Sequence, residues 1–176
     1  VNMTTILDLD GQPFGRNMVD PESLRLDGRR NLIYWGNEGQ RTSASMQNPT
    51  VRRMHPDGRP AGEFPVPGYY NPSGSASGLA AGDMGVYNNL AFESIAITPD
   101  GKTVWTMSEN GLAQDSFPTA VGRGSRARLL AGDLDTGIAG AEYVYDVGPV
   151  RFAPARPGDF ATNGVQDMLA LSSTEF

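Results

Sequence analysis

Asp20-Pro21-Glu22-Ser23-Leu24-Arg25-Leu26, the turn pair Asp27-Gly28, Leu32-Ile33-Tyr34-Trp35 and a closing Asn37-Glu38-Gly39 form one stretch of this chain. A second stretch matches it: Ala91-Phe92-Glu93-Ser94-Ile95-Ala96-Ile97, Asp100-Gly101, Thr103-Val104-Trp105-Thr106-Met107 and Ser108-Glu109-Asn110. Both Glu-Ser pairs and both closing glutamates are offset by 71 residues, so each copy carries two glutamates 16 apart. A repeat of this kind sets the architecture before any single residue does.

Working outward, each copy reads as a meander of short strands. Residues 22–27 alternate and feed the turn Asp27-Gly28-Arg29-Arg30, and 31–36 return, rich in β-branched and aromatic types. Val51-Arg52-Arg53-Met54 and Gly62-Glu63-Phe64-Pro65-Val66 flank the turn His55-Pro56-Asp57-Gly58. The second copy places strands at 93–98, 103–108, 126–131 and 142–146, with a turn at Asp135-Thr136-Gly137. Four antiparallel strands repeated in tandem are propeller blades, so the predicted class is all-β, a β-propeller segment. Full blades fall at about 20–66 and 91–147. Partial blades fall at 1–19, where Thr5-Ile6-Leu7-Asp8-Leu9-Asp10-Gly11 resembles the tail of a preceding blade, and at 163–176, where Asp167 takes the place of Glu22 and Glu93.

Two full units and two partial ones cannot close a ring of at least four blades. The expectation is therefore a segment of a larger propeller, completed by further blades in cis or in trans. An N-terminus without an initiator Met or a signal pattern, and an end at Ser172-Ser173-Thr174-Glu175-Phe176, fit a chain cut from something longer. The inserts at 67–90, 110–125 and 147–163 read as loops, long enough for lids or binding walls.

Composition narrows the functions. At 176 residues, with 39% hydrophobic and 19% charged residues, the chain is globular. The absence of cysteine excludes disulfides, Cys-ligated zinc and Cys nucleophiles. A net charge of -6 argues against nucleic acid, whose phosphates require Lys and Arg, and suits the gathering of cations. No apolar run approaches the ~20 residues of a membrane span. Lys102 is the one lysine; the dominance of arginine reflects genomic composition or bidentate anion contacts. Asn2-Met3-Thr4 fits a glycosylation sequon but carries no weight at such a terminus.

His55, the single histidine, sits in a turn and reads as solvated, so a Ser-His-Asp triad within this chain is disfavoured. Gly74-Ser75-Ala76-Ser77-Gly78 approaches a nucleophile elbow but has Ala at its centre. What remains is oxygen chemistry. Glu22, Glu93 and Asp167 open the first strand of successive units, and Glu38 and Glu109 close the second strand. A hairpin puts those ends side by side, so closure around an axis would gather carboxylates, which repel unless a cation sits among them. Calcium accepts such an oxygen-only set. The alternative is that these acids cap strand ends or pair with arginine. Asp115 could join them or lie in solvent, and Arg126 could hold an anionic substrate or pair with an acid.

At these residues the chain resembles the "esterase-like activity of phytase" family, a bacterial phytase-like propeller domain. The likeness rests on Asp20-Pro21-Glu22-Ser23, the run Asn88 to Lys102, Ser108-Glu109, Gln114-Asp115, Ser125-Arg126-Ala127-Arg128-Leu129-Leu130 and Glu142-Tyr143-Val144-Tyr145. A more distant likeness runs to the calcium-dependent β-propeller phytases, whose Glu-Gly-Met…Leu-Tyr-Ile…Glu-Glu run has the layout of Glu93 through Glu109. Ser94 here replaces the Gly and Asn110 the second Glu.

The resemblance implies a secreted or periplasmic hydrolase of phosphate or carboxylate esters, acting on a small anionic or ester substrate. Calcium would be held by Glu93 and Glu109, with Glu22, Glu38 and Asp167 as further candidate ligands. Asp115 would be a further ligand or base and Arg126 an anion clamp. The cation would polarise the ester and acidify a water. The competing reading is a propeller binding or scaffold module without catalysis.

Overall fold

The computed structural model describes residues 4–176, so Asn2 and Met3 of the sequon lie outside the described part. Strand β1 (Pro21–Asp27) pairs antiparallel with β2 (Leu32–Asn37). A two-residue ribbon, β3 (Gln40–Arg41) with β4 (Met46–Gln47), follows before β5 (Thr50–Met54) and β6 (Pro60–Phe64) complete a sheet of order β1-β2-β5-β6. The second sheet runs β7 (Phe92–Ile97), β8 (Thr103–Ser108), β9 (Ser125–Asp133) and β10 (Ala139–Val147), again neighbour to neighbour. The class is all-β, in four-stranded antiparallel sheets, as strand alternation and turn chemistry dictate.

The sheets pack face to face. Tyr34, Val51 and Phe64 of the first meet Phe92, Ile95, Val104 and Leu130 of the second in one core. Each fully buried side chain of this size stabilises by about 1.5–3 kcal/mol. The approach is close enough that a Cβ on Gly132 would lie 2.7 Å from the Phe64 ring. The period-2 alternation sends Ala96, Trp105 and Ala127 to the opposite face, where Met168 and Ala170 cover them. The first strands, β1 and β7, lie side by side.

The turn between β1 and β2 clasps the neighbouring turn of the second sheet. Arg29 Nη2 donates to the Pro99 carbonyl at 3.0 Å and Arg30 Nη1 to the Gly101 carbonyl at 2.9 Å. Arg30 is itself held by buried Asp27 at 3.0 Å.

The flanking segments differ from expectation. Residues 5–9 form no strand; Leu7 bridges Pro13 around a tight turn instead. Residues 163–176 also lack a strand, although they lie against the second sheet. The insert at 67–90 opens on a short 3-10 turn, Gly68–Tyr70, and wraps the fully buried Arg41. That guanidinium donates to the carbonyls of Val86 (2.8 Å), Ser75 (2.6 Å), Ser73 (3.1 Å) and Met84. These four bonds tie the guanidinium to a Gly-rich segment in which Ser73 and Met84 also bridge each other, and so hold that segment against the buried side chain.

Candidate metal centre

The site is built from backbone first. Glu38 follows β2, and its N–H donates to the Asp20 carbonyl at 2.9 Å. Glu109 follows β8, and its N–H donates to the Ala91 carbonyl at 2.6 Å. These are the same bond in the two copies. The chain must then turn away from Glu38 sharply, and Gly39 does this at φ +76°, where a Cβ would strike the Gln47 carbonyl at 2.5 Å.

Ala91 ties the two sheets together. Its carbonyl takes Glu109, while its N–H donates to Glu38 Oε1 at 2.8 Å. Glu93 enters from β7 at a β-bulge, since the register slips between Phe92 and Ser94. The first copy slips at the same place, between Pro21 and Ser23 around Glu22. A bulge re-aims one side chain out of the alternation of its strand. Both sheets use it on the acid that opens the repeat.

Carboxylate oxygens of Glu38, Glu93 and Glu109 lie within 4.8 Å of one another. Glu38 and Glu109 are only 1% and 3% exposed. None of these three, nor Glu22, forms an ion pair with a described arginine or lysine. Burial, and then the neighbouring acids Glu93, Asp20 and Glu22, push Glu38 up to about 8 against the opposing bond from Ala91. Burial and the charge of Glu93 push Glu109 up to about 7. Glu93 is raised by burial and by Asp20, with a hydrogen bond from Glu38 opposing. Exposed Glu22 is raised by burial of its stem, Glu93 and Asp20.

Three uncompensated carboxylates in one dry place fit a hard cation. Oxygens bound to one calcium at about 2.3–2.6 Å stand up to roughly 5 Å apart, the spacing found here.

A scan against protein-family models matches the phytase-like family, described as esterase-like activity of phytase, over residues 1–176. The chain belongs to the phytase-like family. Neither curated proteins nor solved structures return a match. The family is one of hydrolase-like propeller domains, and the two four-stranded antiparallel sheets agree with it.

Within this phytase-like chain the other candidate acids go elsewhere. Asp167 does not join the cluster: it is 72% exposed, paired with Arg25, and accepts the Met168 N–H at 2.8 Å. That backbone bond, opposed by slight burial and helped by Arg25, holds its carboxyl below the usual range. Arg25 also donates to the Met168 carbonyl at 2.9 Å, so two contacts draw this segment onto β1. Asp115 is not a free base. Arg128 takes both its oxygens, Nε at 2.6 Å and Nη2 at 2.8 Å, and reaches Glu142 at 3.1 Å, which accepts from Tyr69 at 2.7 Å and from Tyr70. The bidentate fork outcompetes solvent for it.

Arg126 is 67% exposed and stands 3.8 Å from Asp146, in a cavity whose lining includes none of the three glutamates. Asn110, at the place of the second Glu in the calcium-dependent phytases, is structural: it accepts the Thr119 N–H at 2.8 Å and donates to the Asn163 carbonyl at 3.2 Å. His55 and Lys102 belong to turns at the opposite ends of the sheets.

The sequence reading missed Asp20 as a member of the acidic group. Its counterpart in the second copy is Ala91, so comparing the copies hides it. The available signal was its spacing, two residues before Glu22.

Proposed function

We propose that this chain is part of an ester hydrolase whose centre holds calcium on Glu38, Glu93 and Glu109. The observation that carries the reading is the convergence of three carboxylates without a basic partner. Bound calcium would supply Lewis acidity toward an ester oxygen and toward water. The chain's own residues do the rest. The Ala91 N–H orients Glu38, the Ala91 carbonyl orients Glu109, and the bulge aims Glu93. Glu22, exposed beside the group and raised, is the side chain placed to take a proton from the solvent side.

The substrate class is a small phosphate or carboxylate ester, and the protein works outside the cytoplasm, secreted or periplasmic, as the family likeness implies. Further blades, in cis or in trans, would cover the apolar side chains left open on β1 and at 169–171: Leu24, Leu26, Leu169 and Leu171 are each at least half exposed. No helix among the described residues is long and apolar enough to cross a membrane.

Depth of burial favours one other reading. An ion enclosed by Glu38 and Glu109 could simply lock two sheets of a binding or scaffold module. Thermal melts and turnover separate the two. Calcium at about a hundredfold its Kd should stabilise by about 2.7 kcal/mol, and Glu93→Gln should abolish that gain. Chelator-sensitive hydrolysis of p-nitrophenyl phosphate or p-nitrophenyl acetate supports the enzyme. Calcium stabilisation without turnover of either leaves the scaffold, and no calcium effect at all overturns the metal centre.

A further inference from the structure

Glu109 follows β8 at one rim of the second sheet, and at that same rim β9 begins at Ser125 and β10 ends at Val147. On the side of these outer strands lies a cavity of about 620 Å³, the size of a small-molecule site. Its walls are fastened rather than loose. Ser116 Oγ accepts the Arg126 N–H at 2.9 Å and contacts Ser125 Oγ at 3.1 Å, which accepts the Gly111 N–H at 2.9 Å. A neighbouring hollow of about 580 Å³ shares Ala113, Gln114 and Phe117 with it and extends to Leu79 and Met84.

Two guanidiniums in this cavity make no hydrogen bond to a carboxylate. Asp115 is held by Arg128, which it shares with Glu142. Arg126 has only Asp146 near it, at 3.8 Å, too long for a hydrogen bond, and Asp146 is 88% exposed. Arg123 donates Nε to the Pro118 carbonyl at 3.1 Å and lies over the Phe117 ring at 5.3 Å, with no carboxylate partner among the described residues. Neither guanidinium has a carboxylate within hydrogen-bond distance, although Arg123 and Arg126 are matched in number by Asp115 and Asp146 in the lining. Next to it, Phe117, Leu79 and Met84 present exposed apolar surface.

We propose that this double hollow binds an apolar monocarboxylate, an aryl or alkyl acid with its carboxylate on Arg123 and Arg126 and its body against Phe117 and the Leu79–Met84 wall. A planar carboxylate matches the guanidinium fork, and the apolar wall matches a hydrocarbon body. The site uses none of the calcium ligands, so it stands apart from the proposed metal centre.

Calorimetric titration of 3-phenylpropionate, acetate and phenyl phosphate tests it. Phenylpropionate should bind at least about tenfold more tightly than acetate, and Arg126→Gln should weaken it about tenfold, the loss expected for a charge-assisted bond. Phe117→Ala should weaken phenylpropionate about fivefold and leave acetate unchanged, since only the apolar contact is lost. Arg126 and Phe117 are exposed, so both variants should fold; Arg123→Gln gives an independent check on the head group. Glu93→Gln should leave phenylpropionate binding intact while removing calcium binding, so the two proposals fail separately. Equal binding to wild type and Arg126→Gln, acetate as tight as phenylpropionate, or a clear preference for the phenyl phosphate dianion would each overturn the assignment.

Discussion

Replacing Glu38 by glutamine should stabilise the calcium-free protein at alkaline pH. The amide oxygen of the new side chain can still accept the Ala91 N–H, now made to Glu38 Oε1 at 2.8 Å, so the link between the sheets survives. What disappears is a charge within 4.8 Å of the Glu93 and Glu109 carboxylates. At an effective dielectric of about 20, one such repulsion is worth roughly 3 kcal/mol. For a chain of this size that is about 6–12 °C in Tm.

The sign follows from the raised carboxyls. Glu38 and Glu109 titrate at about 8 and about 7 in the folded state, against 4.5 unfolded. The fold therefore holds protons that the unfolded chain releases. The stability these groups contribute is complete below about pH 4.5 and is lost as pH rises through 7 and 8. Melts followed by circular dichroism in EGTA should show the wild-type Tm falling from pH 5 to pH 9. Glu38→Gln should match wild type near pH 5 and exceed it at pH 8.5. With calcium the order should reverse, because the cation neutralises what the mutation removes. A wild-type Tm flat across that range, or a variant less stable than wild type at both ends, would refute the shared low-dielectric cluster.

Three further outcomes follow from neighbouring contacts. Asp115→Asn should cost about 1–3 kcal/mol in denaturant melts while leaving calcium affinity unchanged, because its partner is Arg128 and not the cation. Arg41→Met should remove four guanidinium bonds and leave buried Asp83 without its cation at a cost of about 3–5 kcal/mol, and limited proteolysis should then cut between residues 73 and 86. Gly164→Ala would place a Cβ 2.6 Å from Glu109 Cδ, so calcium titrations should lose about tenfold in affinity, an overpacking cost of the usual 1–3 kcal/mol.

The strands were legible because each carries its own signal. Alternation in Leu24-Arg25-Leu26, β-branched and aromatic runs at 32–35 and 103–107, and Asp-Gly turns fix type and place within a residue or two. The trio was legible only in part. Glu93 and Glu109 follow from the repeat and the family likeness, but the bulges that aim Glu22 and Glu93 have no residue signature. Pairing was hidden altogether. Asp115 meets Arg128, 13 residues away on β9, and Asp167 meets Arg25, 142 away, and nothing local selects one arginine over another. The Arg41 loop was unreadable for a related reason: its acceptors are backbone carbonyls, which every residue has.

The repeated backbone bonds also say where the centre belongs. In each copy the closing glutamate donates its N–H to the residue two before the opening acid, Asp20 in the first and Ala91 in the second. The corresponding residue before Asp167 is Val165, and its N–H donates to the backbone carbonyl of Glu109 at 3.3 Å, whereas the Ala91 N–H donates to the side-chain carboxylate of Glu38. Each opening segment thus docks on the closing glutamate of the sheet before it. Glu38 comes from the first sheet and Glu93 and Glu109 from the second, so neither sheet alone assembles the three-carboxylate group. Binding of a cation at this group would therefore be coupled to the docking of one sheet on the next. If a cation binds there, whatever pulls the sheets apart would release it, and its binding would hold them together.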